Sequence, residues 1–350
     1  MLGAIIGDII GSTYEFNNVR DKDVSLFSNR SHPTDDTIMT IAVCDIFQKG
    51  YINSKEKIVD TIKFWARAYP DAGYGHYFGR WAFSNDNNPY YSNGNGAAMR
   101  ISPVAYYASS KEEVIKYARL LTEVTHNHPE GLKGAEVVAM CIYMARKGKS
   151  KKYIKEYVEK YYDIDFNFEN LKEENEFDDT CEGSIPQAIY CFLISTSYID
   201  CIRNCIAIGG DCDTTSAIAG AIAEAYYKHI DESIIKKALS LIYEEDPSPL
   251  DVIYQFLDDF KDDYLTSELI TSKTYFLTIE NKYVVFEGHC KKISPLKDKI
   301  ISYLEEHDYL KIEDIKKLLK NVVNFDELEN KVSFINTLIK ETGIKFILSR

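Results

Sequence analysis

The chain has 350 residues, 45% of them hydrophobic and 27% charged, with a net charge of −13. That length supports one large core plus a smaller unit, and the mixed composition excludes a disordered chain. The acidic balance argues against a general basic surface for nucleic acid or anionic membrane.

The first twelve residues are apolar but interrupted by Asp8, with neither a basic start nor a small-residue cleavage site, so no secretory signal is expected. Gly3, Gly7 and Gly11 recur every four residues, the spacing of one helical face that admits a close neighbour. Glu15 follows where the chain turns out of that helix. No run approaches the length of an apolar membrane span. The eight cysteines are scattered without a Cys-x-x-Cys pair, which reads as reduced, buried thiols in a cytoplasmic protein.

Helical spacing then recurs over residues 36–47, 55–68, 111–123, 132–147, 152–161, 186–195, 214–227 and 232–243. Alternating strand patterns are scarce before residue 270. The polar segments 17–33, 71–99 and 126–131 read as loops, and the first two are long enough to suggest function. After about residue 265 the character changes. Residues 273–290 alternate around Glu280–Asn281 and read as a hairpin. Helical patterns at 296–306, 312–320 and 325–340 and a short apolar end at 344–348 follow. This near-neutral tail reads as a separate α+β module, either a degenerate winged helix or an interaction module. Nucleic acid stays open as a partner only there.

Two acidic clusters carry most of the chemistry. Thr34-Asp35-Asp36-Thr37 and Asp211-Cys212-Asp213-Thr214 each run into an apolar helix, and Gly209–Gly210 permits a tight turn before the second. One such cluster reads as helix capping. Two near-copies favour a site for hard divalent cations, which prefer oxygen ligands. The loop from Tyr90 to Arg100 has glycines that permit positive φ and backbone amides suited to a phosphate, but it meets neither the dinucleotide nor the Walker fingerprint. The aromatic residues upstream of it are either a stacking face for a base or a loop anchor. In Thr125-His126-Asn127-His128 the histidines are a poor zinc pair. His126 reads as a solvated loop residue, a substrate contact or a general acid.

Taken in order, Gly7-Asp8…Gly11…Glu15, Thr34-Asp35-Asp36-Thr37, Gly94-Asn95-Gly96-Ala97-Ala98-Met99-Arg100, Thr125-His126 and Gly209-Gly210-Asp211-Cys212-Asp213-Thr214 resemble the ADP-ribosylglycohydrolase family. The resemblance spans about residues 1–260. It implies a compact all-α catalytic domain, residues 1–264, followed by an accessory module, residues 265–350. It also implies a metal-dependent hydrolase with two divalent ions, Mg²⁺ or Mn²⁺, releasing ADP-ribose from a modified protein or a small ADP-ribose derivative. Carried over by position, Thr34, Asp35, Asp36, Asp211, Asp213 and Thr214 would be metal ligands, and Glu15 the acid, base or water-orienting group. Ser92, Gly94, Asn95, Gly96, Met99 and His126 would contact the substrate. Cys212 and Ala97 depart from the family's usual Ser/Thr and Ser/Gly. The rival readings are a non-catalytic ADP-ribose reader and a structural member of the fold.

Overall fold

The computed structural model describes residues 1–245, 248–260, 275–279, 282–286 and 344–346. Chain packing divides it into two units, Met1–Tyr264 and Leu265–Arg350.

The first unit is helical. In chain order its helices are α1 (Leu2–Gly11), α2 (Asp35–Gln48), α3 (Lys55–Ala68), α4 (His76–Ala82), α5 (Gly96–Met99), α6 (Val104–Tyr107), α7 (Lys111–Thr122) and α8 (Pro129–Arg146). There follow α9 (Lys151–Val158), α10 (Phe168–Glu174), α11 (Cys181–Ile194), α12 (Tyr198–Ile208), α13 (Cys212–Tyr227), α14 (Glu232–Glu245) and α15 (Ser248–Asp259). Among its described residues there is no strand, only a single bridge between Gly94 and Thr180.

Capping residues set many of these starts. Thr34, Ser54, Ser110, Ser150, Thr180, Ser197 and Asp211 each accept a backbone N–H of the following first turn. Pro186 did not start a helix as expected: it sits inside α11, which opens at the Thr180 cap. Past the first turn, proline lacks the N–H that would bond back to Glu182. Segment 71–99, expected as loop throughout, contains α4 and α5, and α12 and α15 were not anticipated.

The centre of the unit is α1 against α13, both buried along nearly their whole length. A Cβ on Gly3, Gly7 or Gly11 would overlap the backbone of Gly220, Ser216 or Cys212–Asp213 respectively. The glycine stripe therefore lets two antiparallel helices touch backbone to backbone. Their contact brings the C-terminus of α1, and the Glu15 turn beyond it, against the acidic N-terminus of α13.

In the second unit β1 (Tyr275–Ile279) pairs antiparallel with β2 (Lys282–Phe286), Tyr275 opposite Phe286 and Ile279 opposite Lys282. β3 (Ile344–Phe346) pairs with the other edge of β2, Val284 opposite Phe346. The helices expected at 296–306, 312–320 and 325–340 lie outside the described residues.

Candidate metal centre and substrate cleft

A cleft of about 290 Å³ opens onto the N-termini of α2 and α13. It brings together Glu15, Asp35, Asp36, Asp211, Asp213 and Thr214, residues nearly two hundred positions apart in the chain. A larger groove of about 510 Å³ lies along α3. Its cations, Lys63 and Arg67, already donate to the carbonyls of Ala82, Ser84 and Asp86, so the chemistry belongs to the acidic cleft.

Asp8 builds one wall. Fully buried on α1, it accepts Thr34 N at 3.0 Å, Thr34 Oγ1 at 2.7 Å, Thr37 N at 3.1 Å and the Thr37 hydroxyl. Asp8 thus caps the N-terminus of α2 and fixes the Asp35–Asp36 step. Thr34 is buried behind this wall, outside the residues that line the cleft. Its hydroxyl donates to Asp8 and accepts Asp36 N at 3.3 Å.

The second wall is the turn into α13. Gly209 and Gly210 hold φ of 70° and 79°, a region side chains disfavour, so these glycines are required by the turn. Asn18 pins the turn to the Glu15 segment: its Oδ1 accepts Gly210 N at 2.6 Å while its Nδ2 donates to the Glu15 carbonyl at 2.9 Å. Asp211 accepts Thr214 N at 3.4 Å and Asn95 Nδ2 at 2.6 Å. Thr214 Oγ1 donates to Asp36 Oδ2 at 3.2 Å, joining the two clusters directly.

The carboxylates crowd. Oxygens of Glu15, Asp211 and Asp213 lie within 4.8 Å of one another. Burial, then Asp211 and Asp8, push Glu15 up to about 7. Burial, then the charges of Asp8, Asp211 and Glu15, hold Asp35 up at about 8. Burial drives Asp36 and Asp213 well above the carboxylate range, with Asp8 adding to the first and Asp211 to the second. Asp36 Oδ1 is buried and has no hydrogen-bond partner. An acceptor stranded among like charges is what a hard cation satisfies, so the donor set fits a divalent metal.

The opposite side is the 90–100 loop. Ser92, Gly94, Asn95, Gly96, Met99 and His126 all line the cleft. Three expectations change here. Gly94 and Gly96 do not adopt positive φ; a Cβ would stand 3.1 Å from Ser92 Oγ at Gly94 and 3.1 Å from His126 Nε2 at Gly96, so close neighbours crowd both positions. Amides expected to be free are engaged, Gly94 N with Ser92 Oγ and Asn95 N with the Asp179 carbonyl. The Asn95 side chain is bonded to Asp211 and Ser184, so it braces an acidic residue from the loop.

His126 is not the solvated loop residue that remained one expectation; it is buried, and burial followed by the Arg100 charge holds it well below the usual imidazole range. Arg100 had no assigned role in the sequence. Among the described residues lining the cleft it is the sole Lys or Arg, and it is 1% exposed. Its signal was an arginine closing a glycine loop and leading straight into an apolar segment. At the mouth, Phe16, 84% exposed, stacks on Phe177 at 6.0 Å, one residue from Glu15.

A family model described as ADP-ribosylglycohydrolase matches residues 1–264. The chain belongs to the ADP-ribosylglycohydrolase family. It is a glycosidic-bond hydrolase. It is 27% identical over 308 residues to the human protein named ADP-ribosylhydrolase ARH3, covering 65% of this chain and 84% of that one. It is also 27% identical over 252 residues to the ADP-ribosyl-[dinitrogen reductase] glycohydrolase of Rhodospirillum rubrum, covering 65% and 83%. A solved ADP-ribosylglycohydrolase-related protein complex superposes with a TM-score of 0.51 at 24% identity, covering 69% of this chain and 95% of that one, and shows the shared fold. Among the described residues no helix is long and apolar enough to cross a membrane.

Proposed function

We propose that residues 1–264 are a catalytic domain that hydrolyses the bond between ADP-ribose and an acceptor, a protein side chain, using two divalent ions, Mg²⁺ or Mn²⁺. Residues 265–350 are its accessory module, and the protein acts in the cytoplasm. The observation that carries this is the meeting of both acidic clusters and Glu15 at the floor of one cleft, with Asp36 Oδ1 stranded there. The names of the curated relatives support the ADP-ribose part.

Asp35, Asp36, Asp211, Asp213, Thr34 and Thr214 would hold the ions. The Thr34 hydroxyl donates to Asp8 and accepts Asp36 N, so a single lone pair of its oxygen is left for a cation. When bound, the metals orient the ribose hydroxyls and sharpen a water nucleophile. The remaining work falls to side chains. Glu15 accepts a proton from water as the water oxygen joins the anomeric carbon and the carbon–acceptor bond breaks. That proton then passes to the departing acceptor. The transition state resembles an oxocarbenium ion. Gly94, Gly96, Ser92, Met99 and His126 would seat the diphosphate and distal ribose, and Arg100 offsets the acidic field that would repel an anion.

The test is a panel of chemically defined ADP-ribose linkages incubated with the full chain and Mg²⁺ or Mn²⁺. Free ADP-ribose should appear from at least one linkage, and Asp36→Asn or Asp213→Asn should abolish it. No release from any linkage with either metal sinks the proposal.

A further inference from the structure

We propose that Arg100 and Thr125 form a buried positioning relay that holds His126 as a neutral imidazole with its proton on Nε2, aimed at the Gly94–Gly96 edge of the cleft, where it donates a hydrogen bond to an anionic oxygen of the ligand. The ligand half of this statement rests on ADP-ribose being the occupant of the cleft.

The proton's place follows from counting donors around Nδ1. Arg100 Nη2 lies 2.6 Å from Thr125 Oγ1 and can only donate, so the threonine oxygen accepts there. The threonine's own proton has two possible acceptors, the Thr122 carbonyl at 3.5 Å and His126 Nδ1 at 2.8 Å. That carbonyl already accepts Thr125 N and His126 N, so the shorter contact takes the proton. Arg100 Nη2 also reaches to 3.4 Å from Nδ1, again only as a donor. Both neighbours of Nδ1 are donors. Nδ1 is therefore the acceptor, and the ring's proton sits on Nε2.

The surroundings keep the ring in that state. Thr125 and Arg100 are 0% and 1% exposed, and His126 is 4% exposed. The guanidinium opposes a second positive charge. The groups facing the ring are Arg100 and Thr125 at Nδ1, the edge-on Tyr90 ring at 5.8 Å, and the Gly94–Gly96 backbone at Nε2. Arg100 Nε and Nη1 have no hydrogen-bond partner, so its charge is not neutralised by a contacting carboxylate. A neutral ring with Nε2–H is a donor but a very weak acid, which removes general-acid work from His126. Arg100 and Thr125 touch no substrate in this scheme; they act through the imidazole.

The experiment pairs ¹⁵N-histidine NMR of the ligand-free full chain with titration of free ADP-ribose. In the wild type the His126 proton should reside on Nε2, without titrating from about pH 5.5 to about pH 8. Thr125→Val keeps the shape but removes the hydroxyl. It should mix the tautomers and weaken ADP-ribose binding about tenfold, while kcat at saturation stays within about threefold. Thr125→Ser should restore both signals. A proton on Nδ1, titration of His126 in that window, or undiminished ADP-ribose affinity in Thr125→Val would overturn the relay. If Thr125→Val does not fold, the wild-type tautomer decides alone. If the wild type shows the Nε2 proton but binds no ADP-ribose, the relay stands and the assignment of the cleft's ligand fails.

Discussion

Without metal, the Glu15 carboxyl is held up at about 7, by burial first and then by Asp211 and Asp8. A group poised there can take and return a proton at working pH, whereas the other acids of the cleft are committed to neighbours or suited to a cation. Glu15→Gln keeps the size and removes the proton acceptor. It should lower kcat by about 10²–10⁴-fold while leaving metal and ADP-ribose binding intact; an equal loss in ADP-ribose affinity would place Glu15 in binding instead. At this scale the acidic residues were legible from chain chemistry, since Thr-Asp-Asp-Thr and Asp-x-Asp-Thr exceed what capping needs. Asp8 was visible but without a role, because its four donors come from residues 34 and 37 and only folding supplies them. His126 was left among three readings for the same reason: its burial is set by residues from other segments.

The contact of α1 with α13 places the Glu15 turn against the acidic start of α13. Its glycine stripe was readable from the four-residue spacing, but the partner was not. The structure supplies it: Gly220, Ser216 and Cys212–Asp213, a matching four-residue ladder running the opposite way. Gly7→Ala would drive a methyl group into the Ser216 backbone, which cannot swing aside as a side chain can. Overpacking of this kind costs about 1–3 kcal/mol, and a backbone obstacle belongs at the upper end or beyond. Denaturant unfolding should show that loss, and kcat should fall with it because Glu15 and Asp213 are spaced by this contact. A Gly7→Ala protein of unchanged stability would mean the helices separate at little cost. Most helices were legible because apolar periodicity and Ser/Thr/Asp caps agree locally. α4 and α5 were not, since short helices carry too few turns to display a period. The helices expected at 296–306, 312–320 and 325–340 fall outside the described residues.

Across the whole helical unit, the crowded carboxylates are expected to make stability depend on metal and pH together. Without metal, Asp35 at about 8 and Glu15 at about 7 stand above their ordinary values of 3.8 and 4.5. Between those limits the folded protein binds more protons than the unfolded chain, so stability falls as pH rises through the window. Metal-free protein should therefore melt at a lower temperature at about pH 8 than at about pH 5. Adding Mg²⁺ or Mn²⁺ should raise the melting temperature more at the higher pH, where the ion replaces protons the site has lost. A melting temperature that does not respond to metal at either pH would show that these acids hold no ion.

Sequence alone determined the residue types, many of the local helix starts and the family, because acidic clusters, caps and glycine spacing are properties of short segments. It also indicated a chemically distinct tail. Only the tertiary structure decided that residues 15, 35, 36, 211, 213 and 214 share one floor, that Asp8 is a brace, that Asn95 serves Asp211, and that Arg100 is the cleft's buried cation. Each of those roles depends on distances and desolvation between segments far apart in the chain, and neither quantity exists until the core has packed.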